Sequence, residues 1–189
     1  MNAQITNIAV ILGLMQVAKR IPFDDPNVLN MVRAGYILSN IIIVAIYYYV
    51  GIVIKRKNDL TTLKYTEPAP PMSQDPPKLI TTTIRGHDET QLKAAYKSIL
   101  TGVGMMVVMH VYFKYTNPLL IQSIIPLKGV FENKLVQIHL LNKPAIGDLK
   151  RPWKAAAGPF AGFGGGEPKT DKRSVEGAEK RGAGGAKEE

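Results

Sequence analysis

Residues 34–54 are 21 consecutive residues without a charged side chain, and Lys55, Arg56 and Lys57 follow them directly. A helix rises about 1.5 Å per residue, so this stretch covers roughly the 30 Å hydrocarbon core of a bilayer. Inside that core every backbone polar group must find its partner within the helix itself. We therefore predict a transmembrane helix that begins near Arg33, and the remaining segments must be interpreted relative to the membrane.

Three other apolar stretches are shorter. Residues 2–18 and 98–113 lack Asp, Glu, Lys and Arg, and each is at the short end for a span. Residues 119–127 are too few to cross a bilayer, so they are predicted to be interfacial, re-entrant or packed against other helices. Just before residue 98 the apolar side chains have helical spacing opposite Lys93 and Lys97. The predicted fold class is an all-α membrane protein. It is a small bundle of about three short transmembrane helices, with an amphipathic helix leading into the third and a basic, partly disordered C-terminal tail.

Changes in composition divide the chain into four predicted segments. These are an N-terminal transmembrane hairpin (1–54), a polar, partly extended Pro-rich connector (55–87), the amphipathic helix, third membrane helix and short apolar helix (88–127), and a basic C-terminal region that is disordered toward its end (128–189). Asp88 and Gln91 resemble a capping box that opens a helix. Residues 135–141 favour a short strand and residues 173–181 a helix. Four glycine and serine residues are expected to allow close helix approach, namely Gly35, Ser39, Gly102 and Gly104.

The formal net charge of +9 comes from 24 Lys and Arg against 15 Asp and Glu. Positive side chains are frequent in residues 55–97 and again after residue 113, and cytosolic loops carry such an excess. The two loops cannot both be cytosolic if residues 98–113 cross the membrane and no later segment crosses it back. We predict a cytosolic C-terminal tail, and the side of residues 55–97 and of the N-terminus stays open.

Catalytic chemistry is not indicated. The chain has no cysteine, which excludes disulfides and cysteine-based metal or redox sites. His87, His110 and His139 have no acidic or hydroxyl residue at a recognised motif spacing. The glycines of residues 162–166 favour a flexible linker over a phosphate-binding loop. We predict no enzymatic activity, no metal and no cofactor.

Five polar side chains lie within the apolar stretches, where facing lipid would be costly, so they are expected to point inward. They are Asn7, Gln16, Asn40, His110 and Gln122. Two interpretations stay open. They form interhelical hydrogen bonds that hold the bundle together, or they line a water-accessible groove through which polar parts of another protein enter the membrane.

Residues 143–154 combine cations with the single tryptophan of the chain, as in a docking peptide. Ribosomal RNA, lipid head groups and a protein partner all suit this chemistry, and a solvated linker is the alternative. The predicted contact residues for RNA, lipid or a protein partner are Lys143, Lys150, Arg151, Trp153, Lys154, Lys169, Lys172 and Arg173.

Several segments together closely resemble the fungal Pho-eighty-eight family, also called component three of the SRP-independent (SND) targeting route. The segments are NDLTTLKY (58–65), KYTNPL (114–119), IHL (138–140), GDLKRP (147–152) and PKTDK (168–172). The resemblance covers most of the chain and is looser over residues 156–166.

The resemblance implies a non-enzymatic targeting or insertion factor of the endoplasmic reticulum membrane that acts beside the Sec61 translocon. It implies as partners the translocon, the ribosome, membrane lipids, nascent membrane-protein clients and other SND components. The alternative is a structural adaptor or assembly factor for other membrane proteins, including phosphate permeases. A phosphate transporter ranks third, because three short spans hold no buried arginine cluster for a dianion.

Overall fold

The computed structural model describes residues 3–67, 77–153 and 168–183, with side chains from residue 8 to residue 180. Its helices and strands, in chain order, are α1 (Ala3–Ala18), α2 (Pro26–Lys57), β1 (Thr62–Glu67), β2 (Lys78–Thr83), α3 (Ile84–Val107), α4 (Asn117–Glu132), α5 (Lys134–His139) and α6 (Lys172–Ala183). A five-residue π-helix, Val108–Tyr112, continues α3, and a single 3₁₀ turn covers Gly147–Leu149.

α2 is the central helix, and both of its ends follow from local chemistry. The Asp25 carboxylate accepts a hydrogen bond from the Asn27 backbone N–H at 2.8 Å, and Pro26 occupies the first turn. At the other end Lys55, Arg56 and Lys57 lie in the last turn, where cations oppose the helix dipole. Asn58 then adopts the left-handed conformation at φ 42° and ends the helix.

α2 and α3 with its π-helical continuation are each long and apolar enough to cross a bilayer. α1 and α4 are apolar helices of 16 residues each. α2 packs against α3, α4 and α5, whereas α1 packs against α4. The fold is therefore mostly helical with two candidate membrane-spanning helices. The predicted count of about three spans stays a prediction.

The short apolar run at residues 119–127 lies inside α4, which returns the chain along α2. As a result, residues that follow α2 and residues that follow α4 meet at one end of the bundle. Arg151 contacts Asp88 there, and Lys169 pairs with Thr66. Lys19 and Arg33 lie at the opposite end, beside Asn117 and His110 respectively. We call the first of these the polar end.

The predicted connector at residues 55–87 contains a β-hairpin, which its polar, Pro-rich composition does not indicate. β1 and β2 pair antiparallel, with the register running from Thr62 opposite Thr83 to Glu67 opposite Lys78. The outer edge of β1 receives Lys169 through two backbone hydrogen bonds with Thr66, and α6 packs on both strands. The hairpin and α6 thus build an ordered unit at the polar end.

Two local predictions are wrong. The expected strand at residues 135–141 is the helix α5, whose start is fixed by the Asn133 side chain accepting from the Leu135 N–H at 2.9 Å. Asp88 does not cap α3, which begins four residues earlier with Thr83 accepting from the Gly86 N–H at 3.0 Å. The predicted helix at residues 173–181 is confirmed as α6. The predicted disorder at the chain's end concerns mainly residues outside those described.

α2 and α3 approach closely at Gly51, where an added Cβ would lie 3.1 Å from Leu92 Cδ2. The expectation of close approach is wrong for Gly35, Gly102 and Gly104, since nothing lies within 4 Å of a Cβ added at any of them. Ser39, in contrast, is buried.

The apolar core is displaced toward the polar end. Nine buried side chains from α2, α4, α5 and the segment after α5 form it: Ile43, Tyr47, Val50, Ile54, Val130, Leu135, Val136, Ile138 and Trp153. The N-terminal half of α2 instead exposes Ile37, Leu38 and Ile41, each by more than half of its surface. An exposed apolar face of this kind suits contact with lipid.

Candidate functional site

A groove of about 690 Å³ opens between α2, α3 and α4. It exists because α3 and α4 both pack against α2 but hardly touch each other. α5 and Trp153 contribute to its wall at the polar end. We refer to this space as the groove.

Two of the five predicted intramembrane polar residues line the groove. Asn40 projects from α2 and Gln122 from α4. The Asn40 amide donates to the Tyr36 backbone carbonyl at 2.9 Å, whereas the exposed Gln122 amide has no hydrogen-bond partner among the described residues. The groove therefore carries two side-chain amides, each within an apolar stretch of its helix.

The other three lie elsewhere. His110 does not line the groove. Its Nδ1 contacts the Tyr115 carbonyl at 3.1 Å, and its Nε2 accepts from Arg33 Nε at 3.0 Å, which joins α2 to the π-helix. Gln16 is exposed on α1, away from the groove. Asn7 lies in α1, but its side chain is outside the described part of the structure. His110 thus fits the interpretation of interhelical hydrogen bonds, and Asn40 and Gln122 fit that of a groove lining. The roles of all five residues stay a prediction.

The α3 wall of the groove is rich in methionine. Met105, Met106 and Met109 all line it, and Gly102 and Gly129 leave open space on facing helices. Methionine is unbranched and polarisable, so a methionine wall adapts to apolar surfaces of different shapes.

A buried polar cluster lies at the polar end of the bundle. It consists of Asp88 and its three partners His87, His139 and Arg151, and we call it the Asp88 cluster. Arg151 makes a bidentate ion pair with Asp88, with Nε at 2.7 Å from Oδ1 and Nη2 at 2.6 Å from Oδ2. His139 Nε2 lies 2.7 Å from Oδ2, and His87 Nδ1 lies 3.1 Å from Oδ1. Only 1% of the Asp88 side chain and 10% of the Arg151 side chain are exposed.

The hydrogen bonds fix the protonation pattern of this cluster. Ionised Asp88 only accepts, so His139 Nε2 and His87 Nδ1 both donate to it. His87 Nε2 is then free to accept from the Trp153 backbone N–H at 3.4 Å, and His139 Nδ1 has no partner among the described residues. Asp88 lies on the polar first turns of α3, outside the apolar stretch. Burial alone would raise the pKa of its carboxyl, but hydrogen bonds from His139, His87 and Arg151 and the charge of Arg151 together hold that pKa well below its ordinary value.

The same cluster fixes the segment that carries Trp153. Gln91 Nε2 donates to the Trp153 carbonyl at 3.0 Å, and the indole meets the His87 ring edge-on at 4.9 Å. Arg151 and Lys134 lie over the indole at 5.1 and 5.9 Å from its centroid. The expectation of an exposed aromatic at this position is wrong, because Trp153 is 8% exposed and belongs to the core. Arg151 is likewise committed to Asp88 rather than to the surface.

The other predicted contact residues are at the surface where the structure describes them. Lys143, Lys150, Lys169, Lys172 and Arg173 are exposed at the polar end, and Lys154 lies outside the described residues. Their contacts with other molecules stay a prediction.

Sequence reasoning missed the Asp88 cluster. Asp88 lies 51 residues from His139 and 63 from Arg151, so no spacing motif joins them. The cluster is almost closed to solvent and is held by hydrogen bonds between its own members, which suits a structural role. Within the described residues, no group of His, Asp and Glu has an arrangement that could hold a metal ion.

These features define a helical protein with two helices able to cross a membrane, a groove between them and α4, and a clasped polar end. Residues 1–186 match the family model described as "Phosphate transport (Pho88)", and the chain belongs to this family.

Curated relatives extend over nearly the whole chain. It is 48% identical over 189 residues, all of both chains, to "SRP-independent targeting protein 3" of Saccharomyces cerevisiae. It is 41% identical to "SRP-independent targeting protein 3 homolog" of Schizosaccharomyces pombe, over 94% of this chain and 91% of the relative. It is 46% identical to "Uncharacterized protein C589.06c" of the same yeast, over 86% of this chain and 81% of the relative. No solved structure matches.

Proposed function

We propose that this protein is a targeting and insertion factor for membrane proteins in the endoplasmic reticulum membrane. The observation that carries the proposal is the groove, which places the amides of Asn40 and Gln122 among mainly apolar lining side chains. Polar groups inside a membrane bundle are retained where they face a partner or a water-accessible cavity. The printed name of the full-length relative, an SRP-independent targeting protein, supports the same role.

In the proposed mechanism, an apolar client helix lies against the methionine wall while its polar flank passes along Asn40 and Gln122. The amides exchange hydrogen bonds with the flank and so lower the cost of removing it from water. The short helices α1 and α4 assist by thinning the bilayer beside the groove. No catalytic step is needed for this process.

The groove is tested by insertion of a single-span client into liposomes that contain the purified protein. Replacing both groove amides, Asn40→Leu with Gln122→Leu, should lower insertion several-fold because the flank loses its hydrogen-bond partners. Gln16→Leu is the matched control, since it removes an exposed amide from α1 outside the groove. Unchanged insertion by the double variant would exclude the groove as the route.

The proposed place of action is beside the Sec61 translocon and the ribosome, with the polar end in the cytosol. The exposed cations Lys143, Lys150, Lys169, Lys172 and Arg173 suit contact with ribosomal RNA phosphates or anionic lipid.

Reversing these five charges to Glu should weaken co-sedimentation with ribosomes and remove its dependence on salt. Reversing Lys19 and Arg20, at the opposite end of the bundle, is the control. Binding that is insensitive to salt and to the five reversals would exclude phosphate contact.

The second candidate is an adaptor or assembly factor for other membrane proteins such as phosphate permeases. The family description, phosphate transport, favours it. An adaptor would keep its ribosome or partner binding in the groove variant and would show no insertion of its own in liposomes. The two experiments above therefore separate the candidates.

A further inference from the structure

The charged lining residues of the groove are few and already engaged. Among the described residues that line it, only Glu132 and Lys134 carry a charge, and both lie at the junction of α4 and α5. Glu132 forms an ion pair with Lys128, and Lys134 lies over the Trp153 ring. Both charges therefore lie at the polar end of the groove, away from Asn40 and Gln122.

From this junction toward the opposite end of the bundle, the polar side chains that line the groove are neutral. The lining carries the hydroxyls of Tyr36, Tyr47 and Ser98 and the amides of Asn40, Gln91, Gln122 and Asn133, and the remaining surface is formed mainly by aliphatic, methionine and proline side chains. The charged Asp88 cluster contributes none of its four members to the lining. Its Asp88 and Arg151 charges are balanced against each other within the protein.

We propose that the groove selects clients whose membrane-crossing flank is polar but uncharged. This inference rests on the proposed function and names the substrate class of the same site. Amide and hydroxyl groups satisfy a neutral polar flank of the Ser, Thr, Asn or Gly type. Beyond the junction of α4 and α5, a flank that carries a net charge of either sign meets no opposite charge among the described lining residues, in a surrounding of low dielectric that strongly disfavours it.

The methionine wall makes the complementary contribution to selectivity. Because Met105, Met106 and Met109 adapt in shape, the apolar helix of the client is accepted over a broad range of sequences. Discrimination therefore occurs at the flank, through the absence of a matching charge, and not at the hydrophobic segment.

The test uses liposomes with the full-length protein and three clients that differ only in a ten-residue flank. One flank contains only Ser, Gly and Asn, and the other two carry two Asp or two Lys residues. We expect the neutral flank to be inserted at least several-fold better than either charged flank. Equal insertion of all three would overturn the inference while leaving the proposed function intact.

Charged substitutions at Gln122 make the test specific to the groove. Gln122→Lys should raise insertion of the Asp flank relative to the Lys flank at least threefold, and Gln122→Glu should reverse that ratio. Gln16→Lys places the same charge on α1 outside the groove and should leave the ratio unchanged. A ratio that does not respond to either Gln122 variant would overturn the inference.

Binding is measured separately by photo-crosslinking from a probe in each flank to the full-length protein in detergent. Neutral-selective crosslinking without insertion would support the inference and contradict the proposed function. Crosslinking to the groove that does not distinguish the flanks, or no crosslinking at all, would overturn the inference whatever the insertion assay shows.

Discussion

At the scale of a single residue, the Asp88 carboxylate balances the buried charge of Arg151 at the polar end. Its carboxylate accepts from Arg151, His139 and His87 in a site that is almost closed to solvent. Removing one partner of a buried ion pair leaves the other charge uncompensated, at a cost of about 3–5 kcal/mol. Asp88→Asn should lower the free energy of unfolding in detergent by about that amount. Asp148→Asn, at an exposed position in the 3₁₀ turn, is the control.

The lowered pKa of Asp88 also predicts a pH dependence. Because its pKa is lower in the folded than in the unfolded protein, its contribution to stability is complete above the unfolded value of about 4 and is lost as the pH falls below it. The difference in thermal stability between the wild type and Asp88→Asn should therefore shrink below about pH 4. A difference that grew on acidification would contradict the assignment.

How much the sequence reveals depends on whether a signal is local. Asn40 and Gln122 can be identified from sequence because a polar side chain within an apolar run is conspicuous. Asp88 cannot, since its spacing to Gln91 imitates a helix cap while its true partners come from α5 and from Arg151. The burial of Trp153 is not predictable for the same reason. Cations beside an aromatic residue indicate an exposed segment, and only the long-range ion pair of Arg151 with Asp88 shows that this segment is buried.

At the scale of elements, the contact between α2 and α3 is fixed at Gly51. An added Cβ there meets Leu92 Cδ2 at 3.1 Å, so a large side chain must displace α3. Gly51→Leu should therefore destabilise the protein by about 1–3 kcal/mol, the usual effect of overpacking. Gly35→Leu lies on the same helix with nothing within 4 Å and should be nearly neutral. Equal effects of the two substitutions in thermal unfolding would contradict this packing.

The elements themselves are predictable where the pattern is long. The uncharged run at residues 34–54 lies wholly in α2, and α6 follows from its spacing of charges. The hairpin of β1 and β2 is not apparent, because its strands lie in a polar stretch and depend on α6 and Lys169 for cover. The sequence of α5 also suits a strand, because six residues are too few for periodicity to distinguish helix from strand, and the Asn133 cap fixes the helix.

At the scale of the whole molecule, the return of α4 determines the topology. The sequence alone does not determine on which side of the membrane residues 55–97 lie, since a short apolar run gives no sign of whether it turns the chain back. In the structure α4 runs along α2, and the contacts of Asp88 with Arg151 and of Thr66 with Lys169 require both basic regions to share one side. The positive-inside preference then predicts that this side faces the cytosol.

The absence of cysteine from the sequence makes this topology directly measurable. Lys57→Cys and Lys143→Cys introduce exposed thiols at the polar end, and Arg20→Cys introduces one at the opposite end. In intact vesicles with the cytosolic face outward, an impermeant maleimide should label the first two variants, and Arg20→Cys only after the membrane is permeabilised. Labelling of Lys57→Cys and Lys143→Cys from different sides would show that α4 does not return the chain. Labelling of Arg20→Cys alone would invert the proposed orientation and remove the basic end from reach of the ribosome.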